Sequence, residues 1–323
     1  MNTTALITTP AAAPALQNTS SLPELGRRFI SYVETDSACT LRTYKSTIKR
    51  LFGYLHRNGI TNPTRDDMRA YRDDLKATLK PASVNLYMTG CRLFFQWLHQ
   101  EGFYATDITE HLKGSKVEAG HKKDYLTASQ VKTVLENVNG SDIASLRDRA
   151  MLRLMVTTGL RCIEVVRANV GDVRPLGNST VLYIQGKGRS EKNDFVKLTE
   201  HTETALRAYL ATRGTLTEEA PLFAATSNNH SADGRLTTRT VSGIVAKRLT
   251  DVNLKTSRLS AHSLRHTCAT ISLLNLEDNP HALQDVSALL RHKSIAVTQI
   301  YLHNIERATS RAEAVVDEAI ENA

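Results

Sequence analysis

The chain has 323 residues, with 41 Lys plus Arg against 33 Asp plus Glu, a net charge of +8 and a pI near 9.3. At roughly 100–200 residues per domain this length predicts two domains, and 41% apolar residues exclude a disordered polymer. No run of about 18 apolar residues is present to span a bilayer. The four scattered cysteines, Cys39, Cys91, Cys162 and Cys268, form no CxxC pair, which excludes a disulfide scaffold or a Cys-rich zinc module and favours a reducing cytosol. A basic excess of this size is a mild pointer to a polyanionic partner.

Residues 1–20 lack a basic n-region and carry Pro10 and Pro14, so they read as a flexible leader and not a secretion signal. A helix is expected from Leu22 to Val33. Thr40 is a candidate N-cap for a second, in which Leu41, Tyr44, Ile48, Leu51 and Leu55 recur every three or four residues until Asn58-Gly59. Thr64 with Asp67 resembles a capping box opening a helix with Met68, Tyr71 and Leu75 on one face. Pro81 starts another, with Val84, Tyr87, Cys91, Phe94 and Leu98 inward until Gly102. These stripes predict a helix-bundle core. Arg42, Lys45, Lys49, Arg50 and Arg92 lie on polar faces where they can meet phosphates.

The polar, basic stretch GSKVEAGHKKD between Gly114 and Asp124 is the best linker candidate. Beyond it, Thr127 or Ser129 caps a helix containing Val131, Val134 and Leu135, and an apolar segment from Ile143 to Val156 stops at Thr158-Gly159. VLYIQGKGRSEKNDFVKL contains two alternating runs around a glycine turn, a hairpin signal. From Thr238 onward the pattern is helical. In the acidic tail, Ala308, Ala312, Val315, Val316, Ala319 and Ile320 form a stripe opposite Glu313, Asp317, Glu318 and Glu321.

Four segments of the second body stand out: Gly159-Leu160-Arg161-Cys162-Ile163-Glu164, Gly186-Lys187-Gly188, His262-Ser263-Leu264-Arg265-His266-Thr267, and LRHKSIAVTQIYLH from Leu290 to His303. Singly, each has an ordinary structural explanation. Jointly, in this order, they resemble the signature of the tyrosine recombinase (integrase) family: Arg, Lys, His-x-x-Arg, His or Trp, then Tyr near the C-terminus. Arg291 departs from the family pattern, which usually has glycine before the histidine. A tolerated side chain at what reads as a helix start should leave the chemistry unchanged.

The resemblance implies a mainly α fold: an N-terminal helical, SAM-like core-binding bundle over residues 21–112 that clamps DNA, a linker at 113–125, a mainly α catalytic domain with a small antiparallel β sheet at 126–307, and a tail helix at 308–323 that docks in cis or in trans. It also implies a site-specific recombinase that cuts and rejoins double-stranded DNA through a 3′-phosphotyrosyl intermediate, with no metal, ATP or other cofactor, as a homotetramer on synapsed DNA, cytoplasmic and nucleoid-associated. Phage or mobile-element integration and Xer-type dimer resolution both fit.

The residue types suit that chemistry. Displacement at a phosphodiester builds negative charge that planar, permanently protonated guanidiniums neutralise bidentately, a role for Arg161 and Arg265. Tyr301 is the nucleophile by this resemblance; a phenol pKa of about 10 calls for a base or a cationic setting. His262 is placed for acid–base work and His292 for donation to a phosphate oxygen. Lys187 protonates the leaving 5′ oxygen, with Arg189 and Lys192 of the same hairpin as alternatives. Glu164, one turn beyond Arg161, orients that arginine or a histidine.

Several rivals fit less well. A zinc hydrolase would use His262, His266 and Cys268, but it lacks HExxH and would place Arg265 against the cation. Gly186-Lys187-Gly188 lacks the spacing of a phosphate loop. A non-catalytic DNA-binding module has no need of all six residue types. A type IB topoisomerase shares the chemistry but matches the small first body and the length less well.

Overall fold

The computed structural model describes residues 21–33, 38–117, 124–186, 191–226, 234–276, 278–309 and 312–322. The leader therefore lies outside the described residues, as do Lys187 and Arg189. The chain divides between residues 119 and 120 into two compact units.

The first unit holds α1 (Leu22–Tyr32), α2 (Ala38–Arg57), α3 (Arg65–Thr78) and α4 (Pro81–Gln100). Met68, Tyr71 and Leu75 of α3 are fully buried, as are Phe94, Phe95 and Leu98 of α4. Each of the wholly apolar ones stabilises the bundle by about 1.5–3 kcal/mol before entropy is counted. Thr64 and Asp67 form a reciprocal capping box. Where α4 crosses α2, a Cβ at Gly90 would sit 2.8 Å from Thr47 Cγ2, so close approach requires glycine there. Two details differ from expectation. Thr40 lies inside α2, because neither Ala38 nor Cys39 carries a helix stop. Tyr87 is half-buried beneath Arg50, whose guanidinium carbon is 5.3 Å from the ring, and Met88 takes the core position.

The second unit contains α5 (Ala128–Asn137), α6 (Ile143–Thr158), α7 (Cys162–Arg167), β1 (Val173–Leu176), β2 (Ser179–Ile184), β3 (Asp194–Lys197), α8 (Glu200–Ala211), α9 (Thr238–Asp251), α10 (Ala261–Leu274), α11 (Ala282–Leu290), α12 (Ala296–Thr309) and α13 (Ala312–Glu321). Thr127 caps α5 through Gln130. The sheet is antiparallel in the order β1-β2-β3, with Leu182 opposite Val173 on one side and Val196 on the other. The expected hairpin is β2–β3. The edge strand β1 is additional; it hides in the sequence because VRPL has no alternation and carries a proline, which an exposed edge tolerates. α12 runs on to Thr309, so Ala308 belongs to that helix and the tail helix is α13. Among the described residues no helix is long and apolar enough to cross a membrane.

Candidate active site

α6 ends at Gly159 in the left-handed conformation, φ 62°, with its N–H bonded to Met155 O. A Cβ here would approach Leu290 Cδ2 to 2.4 Å, so glycine satisfies both the backbone turn and the packing. The turn places Arg161 at the N-cap of α7. Glu164, 1% exposed, accepts from the Arg161 backbone N–H through Oε2 at 2.8 Å and pairs with Arg161 Nη1 through Oε1 at 2.9 Å. The spacing Arg161 to Glu164 thus serves a backbone cap and an ion pair at once.

Arg265 projects from α10 toward the same turn. Its Nη1 donates to Gly159 O at 2.7 Å and its Nη2 to Leu290 O, so one guanidinium ties α10 to the ends of α6 and α11. Burial lowers its pKa to about 10, with Arg161 and Arg291 adding to the effect, and it remains a cation at neutral pH. His262, exposed on the first turn of α10, stacks edge-on against His266 with ring centres 4.6 Å apart, and His266 lies 5.2 Å from the Tyr301 ring.

Tyr301, on α12, is 5% exposed. Burial pushes its phenol above the usual value, while Arg265 and Arg161 pull it down. His292 lies parallel to Tyr301 with ring centres 6.2 Å apart, and its Nδ1 is 2.7 Å from Thr298 Oγ1. Burial, then the fields of Arg265, Arg161 and Arg291, lower the His292 pKa to about 4. Its ring is therefore neutral near pH 7.

Arg161, Glu164, His262, Arg265, His292 and Tyr301 line one cleft of about 520 Å³, and Gly186, at the base of the β2–β3 turn, reaches its wall. Arg167 Nη1 donates to Gly186 O at 3.4 Å and anchors that base. Lys192 pairs with the buried carboxylate of Asp172 at 2.5 Å. Cys268, near the two histidines in sequence, instead directs its thiol at Thr157 O, 3.7 Å away. Among the described residues, no three His, Cys, Asp or Glu side chains gather as a metal site.

Two residues, one behind the cleft and one on its wall, were not recognisable as participants from sequence. Thr298 sits in an apolar helical stretch and reads as core; its only sequence signal is a hydroxyl one helical segment after His292. Arg291 occupies the left-handed turn that ends α11, φ 55° and ψ 48°, not a helix start, which explains why glycine suits the position. Its side chain packs inward onto Glu164.

On the first unit, Arg42, Lys45 and Lys49 are exposed on α2. Arg50 donates to Thr78 Oγ1 at 3.3 Å, and Arg92 donates to Leu112 O. These last two already serve the bundle.

A helical body joined to a mixed unit whose cleft is lined by two guanidiniums and a phenol suits phosphoryl transfer on a polyanion. Residues 124–307 match the phage integrase family and residues 27–102 its N-terminal SAM-like domain, so the chain belongs to that family of tyrosine recombinases. It catalyses site-specific cleavage and rejoining of DNA strands. The chain is 30% identical over 309 residues, 92% of its length and 96% of the relative's, to the tyrosine recombinase XerC of Herpetosiphon aurantiacus. In fold it is similar to the XerH recombinase bound to difH substrate in a pre-cleavage complex, with TM-score 0.71 and 19% identity, covering 93% of this chain and 99% of that one. It is likewise similar to a lambda integrase tetramer bound to a Holliday junction, with TM-score 0.63 and 19% identity, covering 85% and 78%.

Proposed function

We propose that Tyr301 Oη attacks the scissile phosphorus, forming a 3′-phosphotyrosyl bond as the 5′ oxygen leaves. His262 accepts the phenolic proton. Arg161 and Arg265 neutralise the non-bridging oxygens, His292 donates to one of them, and Lys187 protonates the departing 5′ oxygen. Attack by another 5′ hydroxyl reverses these bonds, so the energy of the phosphodiester is kept and no ATP is required.

The observation that carries this reading is the placement of Arg161, Arg265 and Tyr301 on one cleft. Burial raises the phenol's pKa while Arg265 and Arg161 lower it, so the two guanidiniums favour the phenolate as the base takes its proton. The engagement of Lys192 with Asp172 favours Lys187 or Arg189 as the acid. The guanidiniums supply the charge stabilisation that divalent ions supply elsewhere, so cleavage should survive EDTA.

The partner is double-stranded DNA carrying a recombination site, bound in part by Arg42, Lys45 and Lys49. The working assembly is a homotetramer on synapsed DNA, a reading supported by the likeness to the lambda integrase tetramer. The test is a nicked suicide duplex. Wild-type protein should form a detergent-stable adduct, and Tyr301→Phe should bind the duplex equally well and form none. An adduct persisting in Tyr301→Phe overturns the assignment. Arg161→Ala and Arg265→Ala should each slow cleavage by about 10²–10³.

A further inference from the structure

The family pattern places glycine before the histidine of the fourth segment, and the local backbone explains why: residue 291 is left-handed, at φ 55°. An L side chain is strained there, and glycine would relieve the strain. This chain nevertheless places its largest cation at that position. The Arg291 side chain is only 9% exposed, so its charge is desolvated and has to be compensated locally.

Its partners are specific. Nη2 lies 3.2 Å from Glu164 Oε2, the oxygen that also accepts the Arg161 backbone N–H. Nη1 donates to Leu289 O at 2.6 Å and to Thr158 O at 3.4 Å. Nε is buried with no hydrogen-bond partner among the described residues. The fork therefore crosses from the turn that precedes His292 and Tyr301 to the turn that presents Arg161. Arg265 spans the same gap from α10 through Gly159 O and Leu290 O.

We infer that Arg291 is a positioning residue of this recombinase: by sharing Glu164 with Arg161, it holds the α6–α7 turn against the His292 turn and leaves the Arg161 charge available to the scissile phosphate.

A buried carboxylate with Arg161 as its sole cation would draw that guanidinium into a closed pair. With Arg291 in place, Arg161, Arg265, Arg291 and Lys293 against Glu164 and Asp194 leave the cleft with two net positive charges, matching the two negative charges of a pentacoordinate phosphodiester transition state; without Arg291 one remains. Arg291 need not touch DNA to have this effect. The inference rests on the proposed phosphodiester chemistry, and the two can fail separately: a wild-type protein that forms no Tyr301 adduct refutes the chemistry, whereas an unaffected Arg291 variant refutes only the positioning role.

The experiment measures single-turnover adduct formation and DNA affinity for full-length wild type, Arg291→Gly and Arg291→Lys. One duplex carries an ordinary scissile phosphate and the other a methylphosphonate, which has one negative charge fewer. Arg291→Gly should cleave the ordinary duplex about ten-fold or more slowly with affinity within about two-fold, and lose about three-fold or less on the methylphosphonate, because the missing stabilisation is electrostatic. Arg291→Lys keeps the charge and the backbone but lacks the planar fork whose two nitrogens reach separate acceptors, and should fall between the two; it carries the comparison if the glycine variant folds poorly. In a Glu164→Gln background, the Arg291→Gly loss should shrink, since the two side chains act as one unit. Wild-type rates in both Arg291 variants, equal losses on both duplexes, or full additivity with Glu164→Gln would each overturn the inference.

Discussion

Thr298 Oγ1 lies 2.7 Å from His292 Nδ1, and the hydroxyl is fully buried on α12, the helix that carries Tyr301. The His292 ring is neutral near pH 7 and so bears a single N–H. If His292 donates to the phosphate through Nε2, then Nδ1 must accept, and Thr298 must be the donor. In that arrangement the threonine supports the tautomer protonated at Nε2, and the contact ties the ring to the nucleophile's helix. Thr298→Val keeps the shape and removes the donor, and it should slow adduct formation by about ten-fold, while Thr298→Ser retains most of the rate. The Thr298→Val penalty should nearly vanish in a His292→Ala background, as measured by a double-mutant cycle on the suicide duplex.

The same histidine makes a prediction about stability. Its pKa is lowered from 6.5 to about 4, first by burial and then by Arg265, Arg161 and Arg291. The unfolded chain thus binds the proton more readily than the folded one. The stability linked to this group is complete above about pH 6.5 and is lost as the pH falls from 6.5 toward 4. Part-exposure of the ring moderates the size of the effect. Denaturant unfolding across this window should give a shallower acid decline for His292→Asn than for wild type, and parallel curves would refute the assignment.

The identity of the general acid can be tested through the leaving group. Lys187→Ala should nearly abolish cleavage of an ordinary duplex yet cleave one with a 5′-bridging sulfur at a near-wild-type rate, because a thiolate departs without protonation. Lys192→Ala removes the partner of buried Asp172 and should lower thermal stability. Sulfur rescue of Lys192→Ala and not of Lys187→Ala would reverse the assignment.

How much of this was legible in the sequence depended on what each residue does locally. Helices with one apolar stripe announce themselves, as Met68, Tyr71 and Leu75 do, because the stripe is the cause of folding. The β2–β3 hairpin is visible for the same reason. β1 is not, since its residues Arg174, Pro175 and Leu176 stay exposed and its register comes only from pairing with β2. The cleft was legible where residues are named by chemistry, as with Arg161, Arg265 and Tyr301. Thr298 and Arg291 were illegible because their roles come from what the folded chain brings to them: a histidine ring six positions away and a carboxylate on another helix.

The tail gives the last prediction. On α13, Val315, Val316 and Ile320 are 58%, 60% and 66% exposed. A helix of ten residues is marginal in water on its own, so its apolar side needs a surface to cover it. We propose that it docks in trans on the basic catalytic unit of a neighbouring protomer, where Asp317, Glu318 and Glu321 find opposite charge. α13 follows closely on the helix of Tyr301, so such docking would link one subunit's nucleophile to the occupancy of the next. Deleting residues 308–323 should leave affinity for a single site intact, while synapsis and recombination, read by gel shift and by product yield, fall by about ten-fold or more, the loss expected when a linked contact is removed. Val316→Asp, which places a charge on the apolar side without shortening the chain, should reproduce the loss. A truncated protein that unfolds would mean the helix docks on its own subunit, and one that recombines like the full chain would mean it docks nowhere that matters.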